Sequence, residues 1–177
     1  GWIRMPALAH AGLALLTGSL AWGLYWNAPT PSPLWIAALG IEALLLALAA
    51  LALDRLAGGT PADTKPLVAA KRLVDAYRMP VVDVADVVAT LTVAAAVVVL
   101  LPKLHQITGS AWTVAAFAAA AAAWLVNAWT RTSPERTWIA SGLVFLGLAH
   151  SLVYNYPSAL REPWLDAALL HATFAVA

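Results

Sequence analysis

The sequence predicts an all-α integral membrane protein, a bundle of six transmembrane helices with one amphipathic helix at the membrane interface. Three observations predict it. Of 177 residues, 62% are hydrophobic and only 11% charged, with a mean hydropathy of +0.79, whereas a soluble domain carries about 25% charged residues. Apolar stretches recur at close to the roughly 20 residues that cross a hydrocarbon core as a helix. The basic residues between those stretches alternate in density from one connection to the next, as the positive-inside bias requires.

The first stretch covers about residues 6–27 and ends at a turn rich in proline, Pro29 to Pro33. The second, about 34–57, stops at Gly58-Gly59, and the third, about 80–101, is closed by Pro102. The fourth spans about 111–130, and the fifth, about 137–156, is closed by Pro157. Segments this long without polar alternation are helices, because a span must satisfy its own backbone in lipid. The sixth begins at Trp164 and reaches Ala177, a rise of about 21 Å against a core of about 30 Å. We read it as truncated, and residues 1–177 as one polytopic domain belonging to a longer chain. Three helical hairpins result.

Residues 64–78 are too polar to cross. Leu67, Ala70, Val74 and Tyr77 fall on one helical face, and Lys71 and Asp75 form an i,i+4 pair. This pattern predicts a short helix lying at the interface, its basic side chains near anionic headgroups. With the N-terminus inside, the cytoplasmic side holds Arg4, Arg55, Lys65, Lys71, Arg72, Arg78, Arg131 and Arg136, and the other side Lys103 and Arg161. That is 8 against 2 of the 10 basic residues. The alanine-rich composition points to a bacterial inner membrane.

Two patterns bear on packing. Arg4-Met5-Pro6 and Arg78-Met79-Pro80 open the first and third spans, while Trp35, Trp112 and Trp164 open the even ones. Duplicated hairpins would explain this, as would the preference of Trp and Arg for interfaces. The uninterrupted run Ala118 to Ala123 permits close backbone approach and predicts a central fourth helix. Ala14 with Gly18, and Ser19 with Gly23, give the first span small-residue spacings of the same kind.

Ionisable residues inside a membrane are where function would lie. Glu42, His150 and His171 each lie about 9–11 Å inside the outer interface by residue count. At one level they could ligate a metal, or the two histidines a haem or another tetrapyrrole, although the identity of any metal is not indicated. Near the inner side, Asp83 and Asp86 share a face with Thr90, while His10 and Asn127 are about as deep as Asp86. His10, Asp83, Asp86 and Asn127 could carry protons or ions; the competing reading is a polar network that fixes helix packing.

Several classes are excluded. There is no cysteine, hence no disulfide, thiolate catalysis or thiolate metal site. No basic run suggests nucleic acid, and no phosphate loop, HExxH or GxSxG is present. Ser141 and His150 are nine residues apart on one helix, and depth reckoning puts His171 toward the opposite leaflet from Ser141. No serine–histidine pair, and so no intramembrane protease, is expected.

The reading that results is a structural or assembly segment of a larger membrane protein or complex, with no identifiable reaction. Its partners are the lipid bilayer and other membrane helices of the same chain or complex. The alternatives are a cofactor-binding electron-transfer subunit using His150 and His171, and a transporter segment using Asp83, Asp86, His10 and Glu42.

Overall fold

The computed structural model describes residues 4–27, 32–59, 65–100, 111–155 and 163–176. These form six helices: α1 (Arg4–Asn27), α2 (Pro33–Gly59), α3 (Lys65–Leu100), α4 (Ala111–Arg131), α5 (Pro134–Asn155) and α6 (Pro163–Val176). No strand occurs among the described residues. Four helices, α1 to α4, are long and apolar enough to cross a membrane. The chain is therefore a helical integral membrane protein. The apolar runs set these helices, and the proline and glycine clusters read from the sequence fall at or just beyond their ends.

One boundary differs from expectation. Residues 65–78 do not form a separate interfacial helix but the first part of α3, which continues through Pro80 without a break. Proline removes one backbone donor and leaves the Ala76 carbonyl without its intrahelical partner, yet Pro80 is fully buried and the helix carries on. At 36 residues α3 rises about 54 Å, far more than an apolar layer of about 30 Å, so one end projects beyond it. Arg78-Met79-Pro80 thus lies inside a helix, whereas Arg4-Met5-Pro6 begins one, and the two triplets mark no equivalent start. No ion pair joins Lys71 to Asp75 among the described residues.

The core is built on α2, which packs against both α3 and α4. Toward one end, Ala43, Leu46, Ala47 and Ala50 of α2 meet Val81, Val82, Ala85, Val88 and Ala89 of α3. Toward the other, Ile36 and Ala37 meet Ala96, Ala116, Phe117, Ala120 and Leu143. The interface between α2 and α4 depends on small residues. A Cβ placed on Gly40 would lie 3.1 Å from the Ala116 carbonyl oxygen and 3.3 Å from the Thr92 methyl carbon. Gly147 of α5 similarly admits Phe117, whose Cβ would stand 3.3 Å from an added methyl. The alanine run therefore sits where its composition predicts, in contact with α2, α3 and α5.

The small residues of α1 are not used that way. Ala14, Gly18 and Ser19 are exposed, and nothing lies within 4 Å of a Cβ built on Gly12, Gly18 or Gly23. Spacing alone cannot say whether a packing face meets a neighbour, and here it does not. α1 rests mainly on α3, with Ala9 buried and Leu13 against the core. At its end Trp22, Tyr25 and Trp26 cluster with ring centroids 5.8–6.2 Å apart, exposed as an interfacial aromatic group would be.

The α4–α5 turn is two residues long. Thr132 takes a left-handed φ of 47°, and the Ser133 N–H returns to the Ala128 carbonyl at 3.4 Å, closing α4. Ser133 precedes Pro134, the first residue of α5, and donates to Glu135 Oε2 at 2.7 Å. That hydroxyl bond, helped by a backbone one, holds the Glu135 carboxyl below its ordinary value. Whatever the contact contributes is present at neutral pH and fades as acid protonates the carboxylate.

Three outcomes are expected from thermal unfolding in detergent. Gly40→Val should destabilise by about 1–3 kcal/mol because the Ala116 backbone cannot yield, whereas Gly18→Ala should stay within about 0.5 kcal/mol of the parent. Thr132→Gly should raise stability by up to about 1 kcal/mol by relieving the left-handed backbone.

Candidate functional site

Apart from Glu42, the described charges that pair between α2, α3, α4 and α5 gather at one end of the bundle. α3 enters with Asp83 and Asp86 three residues apart, hence on one face. Asp86 accepts from Asn127 Nδ2 on α4 at 2.5 Å and from Arg136 on α5, Nη2 at 2.5 Å and Nε at 3.1 Å. Both Arg136 nitrogens reach the same oxygen, Oδ2, while Asn127 holds Oδ1. The side chains of Asp86 and Arg136 are only 16% and 19% exposed, and Asn127 is fully buried. Asp83 is more open. Its Oδ1 accepts from Arg131 Nη2 at 2.9 Å, and its Oδ2 lies 3.5 Å from His10 Nε2 on α1.

Local structure places these groups. Arg131 is the last residue of α4 and Arg136 the third of α5, so the two-residue turn holds both guanidinium groups over the α3 carboxylates. Arg131 Nη2 also lies 3.7 Å from Met79 Sδ. His10 donates from one ring nitrogen, Nδ1, to the Pro6 carbonyl at 2.8 Å, since a carbonyl can only accept. Asp54 near the end of α2 pairs with Arg78 of α3 at the same end. Thr90 does not extend the cluster, because its hydroxyl donates to the Asp86 carbonyl of its own helix at 2.7 Å.

Sequence reasoning put Asn127 at the level of Asp86, and the two do meet. It paired His10 with Asp86 by depth, and the structure gives His10 to Asp83 instead. The sequence pattern places Arg131 and Arg136 by side alone and does not bring them to the aspartates. Their position at the very ends of the fourth and fifth spans, within a turn of the aspartates' level, was the available signal.

The outer trio does not assemble. Glu42 faces α1, its Oε1 accepting from the Thr17 hydroxyl at 2.8 Å. His150 is buried against Phe117 of α4, ring centroids 6.3 Å apart. His171 bonds Ser141, Nε2 to Oγ at 2.9 Å, with the Phe145 ring edge-on at 5.8 Å. Ser141 lies nine residues from His150 on α5, about 13 Å along the axis, so the two histidines stand at different levels. Among the described residues no three His, Asp or Glu side chains gather as a metal would need.

The Ser141–His171 contact corrects the expectation that they lie in opposite halves. Counting depth assumes that each helix starts at the interface and runs along the normal. Asn155 is 14 residues beyond Ser141, about 21 Å, but Pro163 only eight before His171, about 12 Å. α6 therefore begins some way below the end of α5. His171 Nδ1 is buried with no hydrogen-bond partner among the described residues. The bond ties α6 to α5.

This geometry defines a class, an all-helical membrane protein in which the aspartates of α3 are paired with arginines of α4 and α5. Compared with protein-family models, with curated proteins and with solved structures, the chain matches none.

Breaking one side of the Asp86–Arg136 pair strands the other in a largely buried setting, at a cost of about 3 kcal/mol. Asp86→Ala and Arg136→Ala should each show that loss in thermal unfolding, and the double variant should lose less than their sum.

Proposed function

We propose that this chain is a structural and assembly segment of a larger polytopic membrane protein or membrane complex. In this reading it has six spans, its N-terminus is cytoplasmic, and the membrane is a bacterial inner one. The observation that carries it is the closure of the charge cluster. Two aspartates are matched by two arginines, and each carboxylate bonds its arginine directly. A proton carrier must exchange partners, whereas a carboxylate clamped by a guanidinium and an amide is held in place. The cluster clasps α3, α4 and α5.

Orientation rests on the 8 against 2 partition of basic residues. The contacts agree with that partition in gathering Asp54, Arg78, Arg131 and Arg136 at one end. α5, with 22 residues, and α6 complete the six spans, and the first part of α3 lies at the interface. Because the chain contains no cysteine, single introduced cysteines report sidedness without background. In intact cells Lys103→Cys should react with an impermeant maleimide and Thr132→Cys should not; the reverse pattern would overturn the orientation.

A second reading, a proton or ion path, is favoured by the polar pairs His10–Asp83 and Thr17–Glu42 that follow one another along α1. Proteoliposomes loaded with a pH-sensitive dye separate the two under an imposed potential. The structural reading expects no flux above that of empty liposomes. Flux abolished by Asp86→Asn would install the path in its place, and a stoichiometric visible absorption band in protein from its native membrane would install a cofactor subunit.

A further inference from the structure

α1 stands off α2, and the gap is an open groove of about 630 Å³ whose apolar rim, Leu16, Ile41 and Leu45, is about half exposed. Its walls are Leu16 and Leu20 on one side and Ile41 and Leu45 on the other, with Ser19 and Glu42 as the polar groups. Glu42 is only 8% exposed. Its Oε1 holds the Thr17 hydroxyl, while Oε2 is buried without a hydrogen-bond partner among the described residues. A buried carboxyl oxygen left unmatched is costly and marks a place where a partner fits.

The chemistry of the wall selects the partner. The Ser19 hydroxyl spends its proton on the Leu15 carbonyl at 2.7 Å, and Thr17 spends its own on Glu42. What the Ser19 hydroxyl still offers the groove is lone pairs, and Glu42 Oε2 is an oxygen of a carboxyl. The complement is a head group that is all donors and carries positive charge. A primary amine meets this whichever partner holds the proton, because a carboxylic acid and an amine form the same hydrogen-bonded pair as a carboxylate and an ammonium. An inorganic cation would need several oxygen ligands in a rigid shell, and Glu42 is the one acidic group lining the groove. The leucines and Ile41 supply a chain-length apolar trough beside it.

We infer that the crevice between α1 and α2 is a binding site for a lipophilic primary amine, its alkyl chain along Leu16, Leu20, Ile41 and Leu45 and its head at Glu42. The probe is radiolabelled dodecylamine, titrated onto the whole protein in mild detergent with dodecanol as the uncharged competitor. One saturable site per chain is expected, with dodecanol failing to displace the amine. Glu42→Gln keeps the shape and should weaken binding at least about tenfold, the loss of one charge-assisted hydrogen bond. Ala38→Leu, which fills the groove without touching the carboxyl, should weaken it too, so the test survives if one variant fails to fold. Undiminished binding in both folded variants, equal displacement by dodecanol, or no saturable site in the parent would each overturn the assignment. The last two would leave the crevice as a groove filled by acyl chains or by another helix.

Discussion

Asp86 is the point at which three helices are fastened. One of its oxygens is held by Asn127 of α4 and the other by Arg136 of α5, so a carboxylate on α3 fixes the rotation of both neighbours. In lipid, apolar side chains give helices little reason to prefer one rotation over another, because tails solvate leucine as well as leucine does. A largely buried carboxylate does give such a reason: every rotation but one leaves it uncompensated. The alanine and glycine contacts then take up the distance that this rotation allows. Gly40 against the Ala116 carbonyl is possible only where side chains do not hold the backbones apart.

How much of this was legible follows from which physics acts along the chain and which acts across it. Helix ends come from hydropathy and punctuation, and those of α2 and α4 read directly, falling within two residues of their expected limits. The central place of α4 was legible as well, since only shielded helices tolerate so much alanine. Rotation was not. Equal depth brought Asn127 to Asp86 but failed for Glu42, His150 and His171, which face different neighbours. Ser141 and His171 meet because α6 starts below the end of α5, and a residue count from an assumed membrane surface has no access to such an offset. Arg131 and Arg136 were read by sign and side alone. Their role depends on a two-residue turn whose left-handed Thr132 has no sequence signature of the kind glycine would leave.

The bundle is uneven in consequence. α2, α3, α4 and α5 share buried alanines, and α3, α4 and α5 the charge cluster, while α6 is fastened to α5 by the Ser141–His171 bond and α1 is held chiefly along α3. On α1 the small residues that would allow close approach are not packed against a neighbouring helix, and two polar links, His10 to Asp83 and Thr17 to Glu42, join it to α3 and α2. Such links are short-ranged and directional, so they position α1 at two heights without closing the space beside it.

The two heights differ in chemistry. At the height of Asp83 and Asp86 the acidic groups are matched by guanidinium groups, and the local charge is balanced within the fold. At the second height Glu42 has a hydroxyl for one oxygen and nothing described for the other. A fold that needed only packing at that position could place leucine there, as it does at Leu45 three residues on, and would be spared an unmatched polar atom. A carboxyl kept in an apolar trough, with the neighbouring hydroxyl protons already committed elsewhere, is instead complementary to a donor that arrives from outside the described helices. That asymmetry, closed at Asp86 and open at Glu42, separates the part of the molecule that holds the helices from the part equipped to bind something else.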